Sequence, residues 1–243
     1  ALLNPFVDSK GNFGKAYSRD MHYAAARYTE AKLDGICNEL FREIDKDTID
    51  FVDNYDSTMK EPTLLPVTFP SILANTNLGI AVGMASSICS FNLKELCETT
   101  IELIKNLDHN CIETMPAPDF VGGGTIVYNR DEMEEIYRTG RGGVKVRAKY
   151  VYDKEFNCID IKEIPPTTTA EAIIDKIIER VKAGSIKEIT DVRDETDKNG
   201  LKITIDLKRG TDADKLMQKL YKLTPLEDSF SCNFNVLVDG YPR

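Results

Sequence analysis

The stretch CIDIKEIPPTTTAEAIIDKIIERVKAG, residues 158–184, decides the fold because its apolar spacing changes from one period to another. Residues 158–163 predict a β-strand. Thr168-Thr169-Ala170-Glu171 is a capping-box pattern, which predicts the start of a helix, and Gly184 predicts its end. The apolar residues of this helix recur at helical spacing: Ile173, Ile174, Ile177, Ile178 and Val181.

The following residues extend this unit. Residues 186–192 predict a second strand, and Asp197-Lys198-Asn199-Gly200 predicts a turn into a third. That third strand, 201–207, alternates strictly between apolar and polar residues. A helix over 212–223 and a strand over 232–238 complete the order β-α-β-β-α-β. This order is ferredoxin-like, so we expect an α/β (α+β) chain containing such a unit.

The ferredoxin-like order is shared by many functions, so it leaves open a non-catalytic nucleic-acid-binding or interaction module. An RNA-recognition fold would carry aromatic residues on its strands for base stacking. No Gly-Phe-Gly-Phe type of cluster occurs on the predicted strands.

Composition limits the class of protein. The 243 residues are 42% hydrophobic, which is ample for a packed core. No apolar run approaches the length of a membrane span and no signal-peptide pattern opens the sequence, so we expect a cytoplasmic protein with no membrane contact. The six cysteines include no Cys-x-x-Cys pair, and only two histidines are present, which argues against a zinc site or a disulfide framework. We expect free, buried thiols.

Several short sequences occur in a fixed order. Arg27-Tyr28-Thr29-Glu30 follows Gly11-Asn12-Phe13-Gly14, and Gly79-Ile80-Ala81-Val82-Gly83-Met84-Ala85 comes after both. Any one of them is a weak signal. Further landmarks extend the set along nearly the whole chain: residues 51–56, 65–66, 118–120, 137–142, 163–165 and 193–197. Together they resemble the breakage-reunion subunit of bacterial type IIA DNA topoisomerases, which is the A subunit of DNA gyrase or of topoisomerase IV.

The resemblance implies an activity. Tyr28 would attack a DNA phosphate and form a transient 5′-phosphotyrosyl link during ATP-dependent double-strand passage, an isomerase reaction. A tyrosine phenol is a poor nucleophile at neutral pH unless a base, a cation or a metal eases removal of its proton. Arg27 is the adjacent cation. If both residues were helical it could not lie flat against the phenol, and we expect it to bind a phosphate oxygen instead.

The resemblance also implies partners. Double-stranded DNA would be the substrate, the A subunit would form a homodimer, and a B subunit would hold both Mg²⁺ and ATP. We expect no metal site in this chain. Residues 1–62 would be the C-terminal part of a winged-helix domain and residues 63–243 a tower domain. As such a fragment, the chain is expected to be inactive alone.

Two alternatives concern packing. Residues 21–44 read as a helix with Tyr28 on its apolar face, where a tyrosine is ordinarily packed. In the resembling family an isoleucine wedges between base pairs, and Ile80 matches it. The ordinary role for Ile80 is core packing beside Val82 and Met84. The prolines and glycines between 64 and 90 favour extended chain and turns.

The net charge of −9 opposes DNA binding unless the charges are segregated. Residues 136–152 contain five cations and no acid, and a second basic group surrounds Tyr28. Solvated surface is the simpler interpretation of such a run. The predicted DNA-contacting residues are Arg27, Ile80, Lys15, Arg19, Arg138, Arg141 and Lys145.

Three lesser candidates have simpler explanations. Gly122-Gly123-Gly124 lacks the Lys-Ser/Thr of a phosphate loop and predicts a turn. His22 could serve as a general base, but a surface histidine is the simpler interpretation. His109 is predicted to lie in a loop.

Overall fold

A computed structural model describes residues 2–243. The N-terminal part consists of short elements: β1 (Val7–Lys10), β2 (Glu30–Leu33), α1 (Ile36–Leu40), β3 (Phe51–Asp53), β4 (Lys60–Pro62), β5 (Asn77–Ala81) and β6 (Met84–Ile88). Longer elements follow: α2 (Leu93–Lys105), β7 (Thr125–Ile126), α3 (Arg130–Thr139), β8 (Arg141–Arg147), β9 (Lys149–Asp153), β10 (Cys158–Glu163), α4 (Ala170–Lys182), β11 (Ile189–Asp194), β12 (Ile203–Leu207), α5 (Ala213–Leu223), β13 (Glu227–Asn233), β14 (Leu237–Val238) and β15 (Tyr241–Pro242). Single 3₁₀ turns lie at Ala26–Tyr28, Ser71–Leu73 and Cys111–Glu113.

Helix α4 confirms the prediction from its sequence, with one change at its start. Thr169, and not Thr168, is the N-cap, and its hydroxyl accepts a hydrogen bond from the Ala172 N–H. Glu171 therefore does not complete a capping box, and its carboxylate is engaged elsewhere. Ile173 and Ile177 are fully buried, as their spacing predicts. The helix ends before Gly184, whose φ is +73°.

The expected α+β fold is confirmed, and the order β10-α4-β11-β12-α5-β13 matches the prediction. The sheet differs in one strand. Its order is β11-β12-β10-β9, all antiparallel, so β9 occupies the edge where a ferredoxin-like fold has its fourth strand. Strand β13 instead pairs with β8 and β6 in a second sheet, ordered β5-β6-β13-β8-β7. Strands β8 and β9 are consecutive in sequence but belong to different sheets, β8 beside β13 and β9 beside β10, and a sequence pattern cannot identify these neighbours.

The four-stranded and the five-stranded sheet each pack against two helices, and each encloses a core. The first core, between the four-stranded sheet and α4 and α5, is dominated by β-branched side chains such as Ile159, Ile161, Ile203 and Ile205. The second core lies between the five-stranded sheet and α2 and α3 and contains Phe91, Ile136 and Phe230.

The chain crosses between the two sheets twice, at Ala148 and at Leu226. Both residues are almost completely buried. The Ala148 N–H donates to the Leu226 carbonyl at 2.8 Å, and the Tyr221 hydroxyl donates to the Ala148 carbonyl at 3.0 Å. The two crossings therefore lie side by side and are hydrogen-bonded to each other.

The prediction of one helix over 21–44 is wrong. Residues 30–33 form β2, which pairs antiparallel with β1 in the register Val7↔Leu33 to Lys10↔Glu30. Only the five residues of α1 are α-helical. The apolar spacing gave the wrong prediction because one of its residues, Leu33, is 66% exposed and does not lie on the buried side of a helix. The extended chain and turns expected between 64 and 90 are confirmed.

Candidate functional site

Tyr28 lies on the surface at the end of a single 3₁₀ turn. Its side chain is 66% exposed, so it is not the packed tyrosine of the alternative interpretation. The Tyr28 N–H donates to the Ala25 carbonyl at 2.9 Å, and the Thr29 N–H and hydroxyl both donate to the Ala26 carbonyl at 3.1 Å. Strand β2 begins at Glu30, so the turn presents the phenol beside the end of a two-stranded ribbon.

The backbone of Tyr28 rests against Gly11, the first residue after β1. A Cβ at this glycine would lie 2.7 Å from the Tyr28 carbonyl oxygen, and its φ of +99° is a conformation that favours glycine. Asn12 ties the same loop to the segment that leads to the tyrosine. Its side-chain amide donates to the His22 carbonyl at 3.1 Å, and its own carbonyl accepts from the Ala24 N–H at 2.9 Å.

The guanidinium of Arg27 lies over the phenol ring. Its central carbon is 4.8 Å from the centroid of the Tyr28 ring. The expectation that two helical neighbours cannot stack in this way is wrong here, because both residues lie in the 3₁₀ turn Ala26–Tyr28 and the guanidinium still lies over the ring. A stack of this kind at an exposed position stabilises by about 0.5–1 kcal/mol. It leaves N–H groups of the fork available for an anion.

The loop that contains Lys15 and Arg19 docks on the start of α4. The Arg19 guanidinium is 3.5 Å from Asp20 and 3.7 Å from Asp175, so two carboxylates partly neutralise it. Lys15 is exposed and, within residues 2–243, forms no ion pair. The loop is closed on itself by the Lys15 N–H, which donates to the Met21 carbonyl at 3.1 Å.

Ile80 lies near the tip of the β5–β6 hairpin. It is 96% exposed and Val82 is completely exposed, so the core-packing interpretation of Ile80 is wrong. The hairpin turns through Val82 and Gly83, where Gly83 has a φ of +82°. An aliphatic side chain held fully in solvent at the end of a paired hairpin has the geometry of a wedge.

The basic run around β8 separates into free and paired cations. Arg138 on α3 pairs with Glu135, and Lys145 is 3.9 Å from Glu227. Arg141, at the start of β8, is exposed and lacks an ion-pair partner among the described residues. A protein carboxylate competes with DNA phosphate for a cation, so Arg141 is the most available of the three.

The triple-glycine segment already binds an anion from its own chain. The Gly124 N–H donates to Glu163 at 2.6 Å, and a Cβ on Gly123 would lie 2.1 Å from the same oxygen. All three glycines have positive φ. The turn interpretation is therefore confirmed, and the loop holds a carboxylate in place of a phosphate. His22 is exposed, and His109 shares a hydrogen bond of 2.9 Å with the Thr114 hydroxyl in a loop.

The sequence predicted free thiols and no metal site. Within residues 2–243, no group of three His, Cys, Asp or Glu side chains could hold a metal ion. All six cysteines are free thiols, and four are buried. Cys89 and Cys232 have their sulfur atoms 3.8 Å apart in the second core. No helix in the described part of the chain is long and apolar enough to cross a membrane.

Sequence reasoning missed Glu171 as a residue of this site. Burial acts to raise the pKa of its carboxyl, but hydrogen bonds from the Ser18 hydroxyl and from the N–H groups of Arg19 and Asp20 outweigh it and lower the pKa to about 2. One sequence signal could have indicated this role. Glu171 lies in the first turn of α4, and because Thr169 is the N-cap of that helix, the glutamate is not used in a capping box and can bind another segment.

Comparisons with known proteins agree along the whole chain. Residues 1–243 match the family model for the A subunit of DNA gyrase/topoisomerase IV. The chloroplastic/mitochondrial DNA gyrase A subunit of Arabidopsis thaliana is 41% identical over 252 residues, which cover 100% of this chain and 26% of that protein. The DNA gyrase A subunit of Mycoplasma pneumoniae is 41% identical, covering 98% of this chain and 28% of the relative. The DNA gyrase A subunit of Staphylococcus aureus is 42% identical, covering 98% and 27%. The chain thus spans about a quarter of the length of these relatives.

Proposed function

The chain belongs to the family of DNA gyrase and topoisomerase IV A subunits, and on that premise we propose that it is part of the subunit that breaks and rejoins DNA, with Tyr28 as the nucleophile. The observation that carries this proposal is the presentation of Tyr28. Its phenol is exposed, the turn that holds it is closed by three hydrogen bonds, and an arginine lies directly over its ring.

The proposed step is a transesterification at phosphorus. The Tyr28 phenol loses its proton as its oxygen bonds to the phosphorus of a backbone phosphate, and the bond from phosphorus to the 3′ oxygen breaks. That oxygen takes up a proton and leaves as a 3′ hydroxyl, while the 5′ phosphate stays on the tyrosine. Attack by the same 3′ hydroxyl reverses the step and reseals the strand. No net hydrolysis occurs, because one phosphodiester is exchanged for another and water takes no part.

Arg27 is proposed to stabilise charge on the phosphate during this step. The developing negative charge on the non-bridging oxygens matches a guanidinium fork, and preorganised charge of this kind is the largest contribution in many enzymes. Within residues 2–243 no carboxylate forms an ion pair with Arg27, so its hydrogen-bonding groups are available to the substrate.

Ile80 is proposed to enter the DNA stack. Insertion between base pairs costs a few kcal/mol of stacking, which is offset when the bent duplex contacts more protein surface. Because β6 pairs with β13, the hairpin that carries Ile80 extends from the five-stranded sheet and is supported by the second core. Arg141 and Lys15 are proposed to contact the DNA backbone, with smaller contributions from Arg19, Arg138 and Lys145, whose charges are shared with carboxylates.

The remaining partners follow from the family. We propose that Mg²⁺ and ATP are held by a B subunit, that the A subunit forms a homodimer so that two tyrosines cut both strands, and that strand passage depends on ATP. Residues 1–62 would end a winged-helix domain and residues 63–243 would form a tower domain. The piece described would not cleave DNA without its partners. A cytoplasmic location remains a proposal.

The non-catalytic module is disfavoured by the outer face of the four-stranded sheet. That face carries an ion-pair network in which Arg193 contacts Asp191, Asp206 and Glu195, and Lys202 contacts Asp160 and Glu195. A hydrogen bond from Lys202, reinforced by Thr204 and Arg193, lowers the pKa of Glu195 to about 2. An RNA-binding face of this topology would instead present stacked aromatic side chains.

Trapping the covalent intermediate tests the proposal. The full-length protein, combined with its B subunit, Mg²⁺ and duplex DNA, is quenched with denaturant, and the DNA-bound peptide is sequenced. The expected peptide contains Tyr28, and Tyr28→Phe should give no adduct. Tyr23→Phe is the matched control, because Tyr23 is also exposed and lies five residues away. An adduct at another residue, or one that survives Tyr28→Phe, would refute the assignment.

A further inference from the structure

We propose that Glu171 is a positioning residue for the cleavage reaction: through its carboxylate, helix α4 holds the loop that leads to Tyr28. This inference rests on the proposed function. It concerns a residue more than 140 positions away from the tyrosine in sequence, in the four-stranded α+β unit, which would otherwise be only a scaffold.

The contact between Glu171 and the loop is dense. One carboxylate oxygen accepts from the Ser18 hydroxyl and from the Asp20 N–H at 3.2 Å, and the other accepts from the Arg19 N–H at 2.9 Å. The backbone adds a further bond, because the Ala170 N–H donates to the Tyr17 carbonyl at 2.9 Å. Tyr17 itself packs against the first core. The loop is thus bound to the start of α4 by four hydrogen bonds and one aromatic side chain.

The contacts continue from this loop to Tyr28 without a gap. Met21 is bound across the loop by the Lys15 N–H, and the next residues, His22 and Ala24, are bound by Asn12. Gly11, which precedes Asn12, lies against the Tyr28 carbonyl. The path from Glu171 to the tyrosine therefore runs through hydrogen-bonded backbone segments as far as Asn12 and Ala24, and its last step is the close packing of Gly11 against the Tyr28 carbonyl.

A carboxylate is required at position 171 by the chemistry of its partners. All three groups that face it are donors, and an ionised carboxylate is an acceptor only. The side-chain amide of a glutamine would turn N–H groups toward at least one donor. The position near the helix N-terminus also favours negative charge. Loss of these bonds releases the loop, and a displacement of about 1 Å at a reacting group can reduce a rate on the order of 100-fold.

The test measures single-turnover adduct formation by the full-length protein with its B subunit, Mg²⁺ and saturating duplex DNA. We expect Glu171→Gln to lower the rate constant about tenfold while the Kd for DNA changes less than about twofold, because positioning acts on the reacting step and not on binding. Glu179→Gln is the control: Glu179 lies on the same helix, is exposed and, among residues 2–243, forms an ion pair only with Lys176.

A double-mutant cycle identifies the contact itself. Ser18→Ala removes the hydroxyl that donates to Glu171 and that also accepts from the Asp20 and Met21 N–H groups at 3.2 and 3.1 Å. Because the Arg19 and Asp20 N–H groups still donate to Glu171, this variant should lower the rate less than Glu171→Gln. The double variant should be no slower than Glu171→Gln alone, since both changes act on one contact. A rate for Glu171→Gln equal to that of Glu179→Gln, or fully additive effects in the cycle, would overturn the proposal. If Glu171→Gln lowers the melting temperature, the milder Ser18→Ala decides by the same rate measurement.

The failure of this inference can be told apart from failure of the proposed function. If the wild-type protein forms an adduct that Tyr28→Phe abolishes, and Glu171→Gln forms it at the wild-type rate, only the inference fails. If the wild type forms no adduct, or forms one that does not depend on Tyr28, the proposed function fails and the inference falls with it.

Discussion

Residues 2–62 and residues 158–226 are held together in different ways. In the first region only Cys37 and Leu40 are buried, and its strands are short two-stranded ribbons. In the second region two helices and three strands enclose a continuous core of isoleucine and leucine. Tyr28, the proposed nucleophile, is in the region without a core. Its position depends on hydrogen bonds, on glycines at close backbone contacts and on contacts with better-packed neighbours. The two regions should therefore respond to substitution in different ways.

The largest expected difference is in stability. Ile161→Ala empties a fully buried position of the first core and should lower the free energy of unfolding by about 2–5 kcal/mol. Leu33→Ala, at a position 66% exposed in β2, should change it by less than about 0.5 kcal/mol. Urea denaturation of both variants measures the difference. Equal losses would show that the N-terminal region has a core of its own and that the two regions are held together alike.

A smaller effect should come from a single methyl group in the N-terminal region. Gly11→Ala forces a Cβ to 2.7 Å from the Tyr28 carbonyl at a φ of +99°, and we expect a strain of about 1–3 kcal/mol, released partly by displacement of Tyr28. The covalent adduct should therefore decrease. Gly35→Ala is the control, because a Cβ there meets nothing within 4 Å and its φ is −57°. If Gly35→Ala reduced the adduct equally, the Gly11 contact would not be what positions the tyrosine.

The next prediction concerns DNA binding outside the tyrosine region. Arg141→Ala should reduce the slope of log K against log salt by about 1, as expected for one lost phosphate contact. Arg138→Ala should change the slope less, because Glu135 already pairs with that guanidinium. Titrations of full-length protein with duplex DNA at several salt concentrations measure both. A larger slope change for Arg138→Ala would mean that the Glu135 pair opens on DNA.

The smallest expected effect is the pH dependence of the contact between the regions. The pKa of Glu171 is lowered from 4.5 to about 2, so the carboxylate is charged and the contact is fully present above pH 4.5. As the pH falls from 4.5 through 2, the folded state binds fewer protons than the unfolded state and the stabilisation is lost. The carboxyl is only partly buried, so solvent screens the contact and we expect less than about 1 kcal/mol. The difference in acid unfolding between wild type and Glu171→Gln tests this, and no difference in this pH range would contradict it.

The same contrast explains what the sequence could predict. Apolar spacing reports burial, and the elements from β10 to α5 were predicted well because residues such as Ile173, Ile177 and Ile205 are buried where the spacing places them. The same reasoning predicted a false helix at 21–44, where Tyr28 and Leu33 are exposed and strand pairing decides the conformation. The last strand was placed too late, because β13 begins at Glu227 and its partners, β8 and β6, are remote in sequence.

The candidate site divides in a similar way. Tyr28, Arg27 and Ile80 were identified by family resemblance, and their exposure is compatible with the roles assigned. The stack of Arg27 on the phenol depends on a local turn that sequence reasoning took for a helix. Asn12 and Glu171 bind mostly backbone groups, and no spacing rule indicates which carbonyl or N–H group a side chain will contact.

The paired crossings at Ala148 and Leu226 have a mechanical consequence. Two sheets joined by a single segment can rotate about that segment. Here two segments cross side by side, are buried and are joined by a hydrogen bond, so rotation of one sheet relative to the other is restricted. The β5–β6 hairpin belongs to one sheet and Glu171 to the helical layer of the other. If Ile80 bends a duplex as proposed, a force at the tip of that hairpin would be transmitted through the paired crossings to helix α4, to which the loop before Tyr28 is hydrogen-bonded.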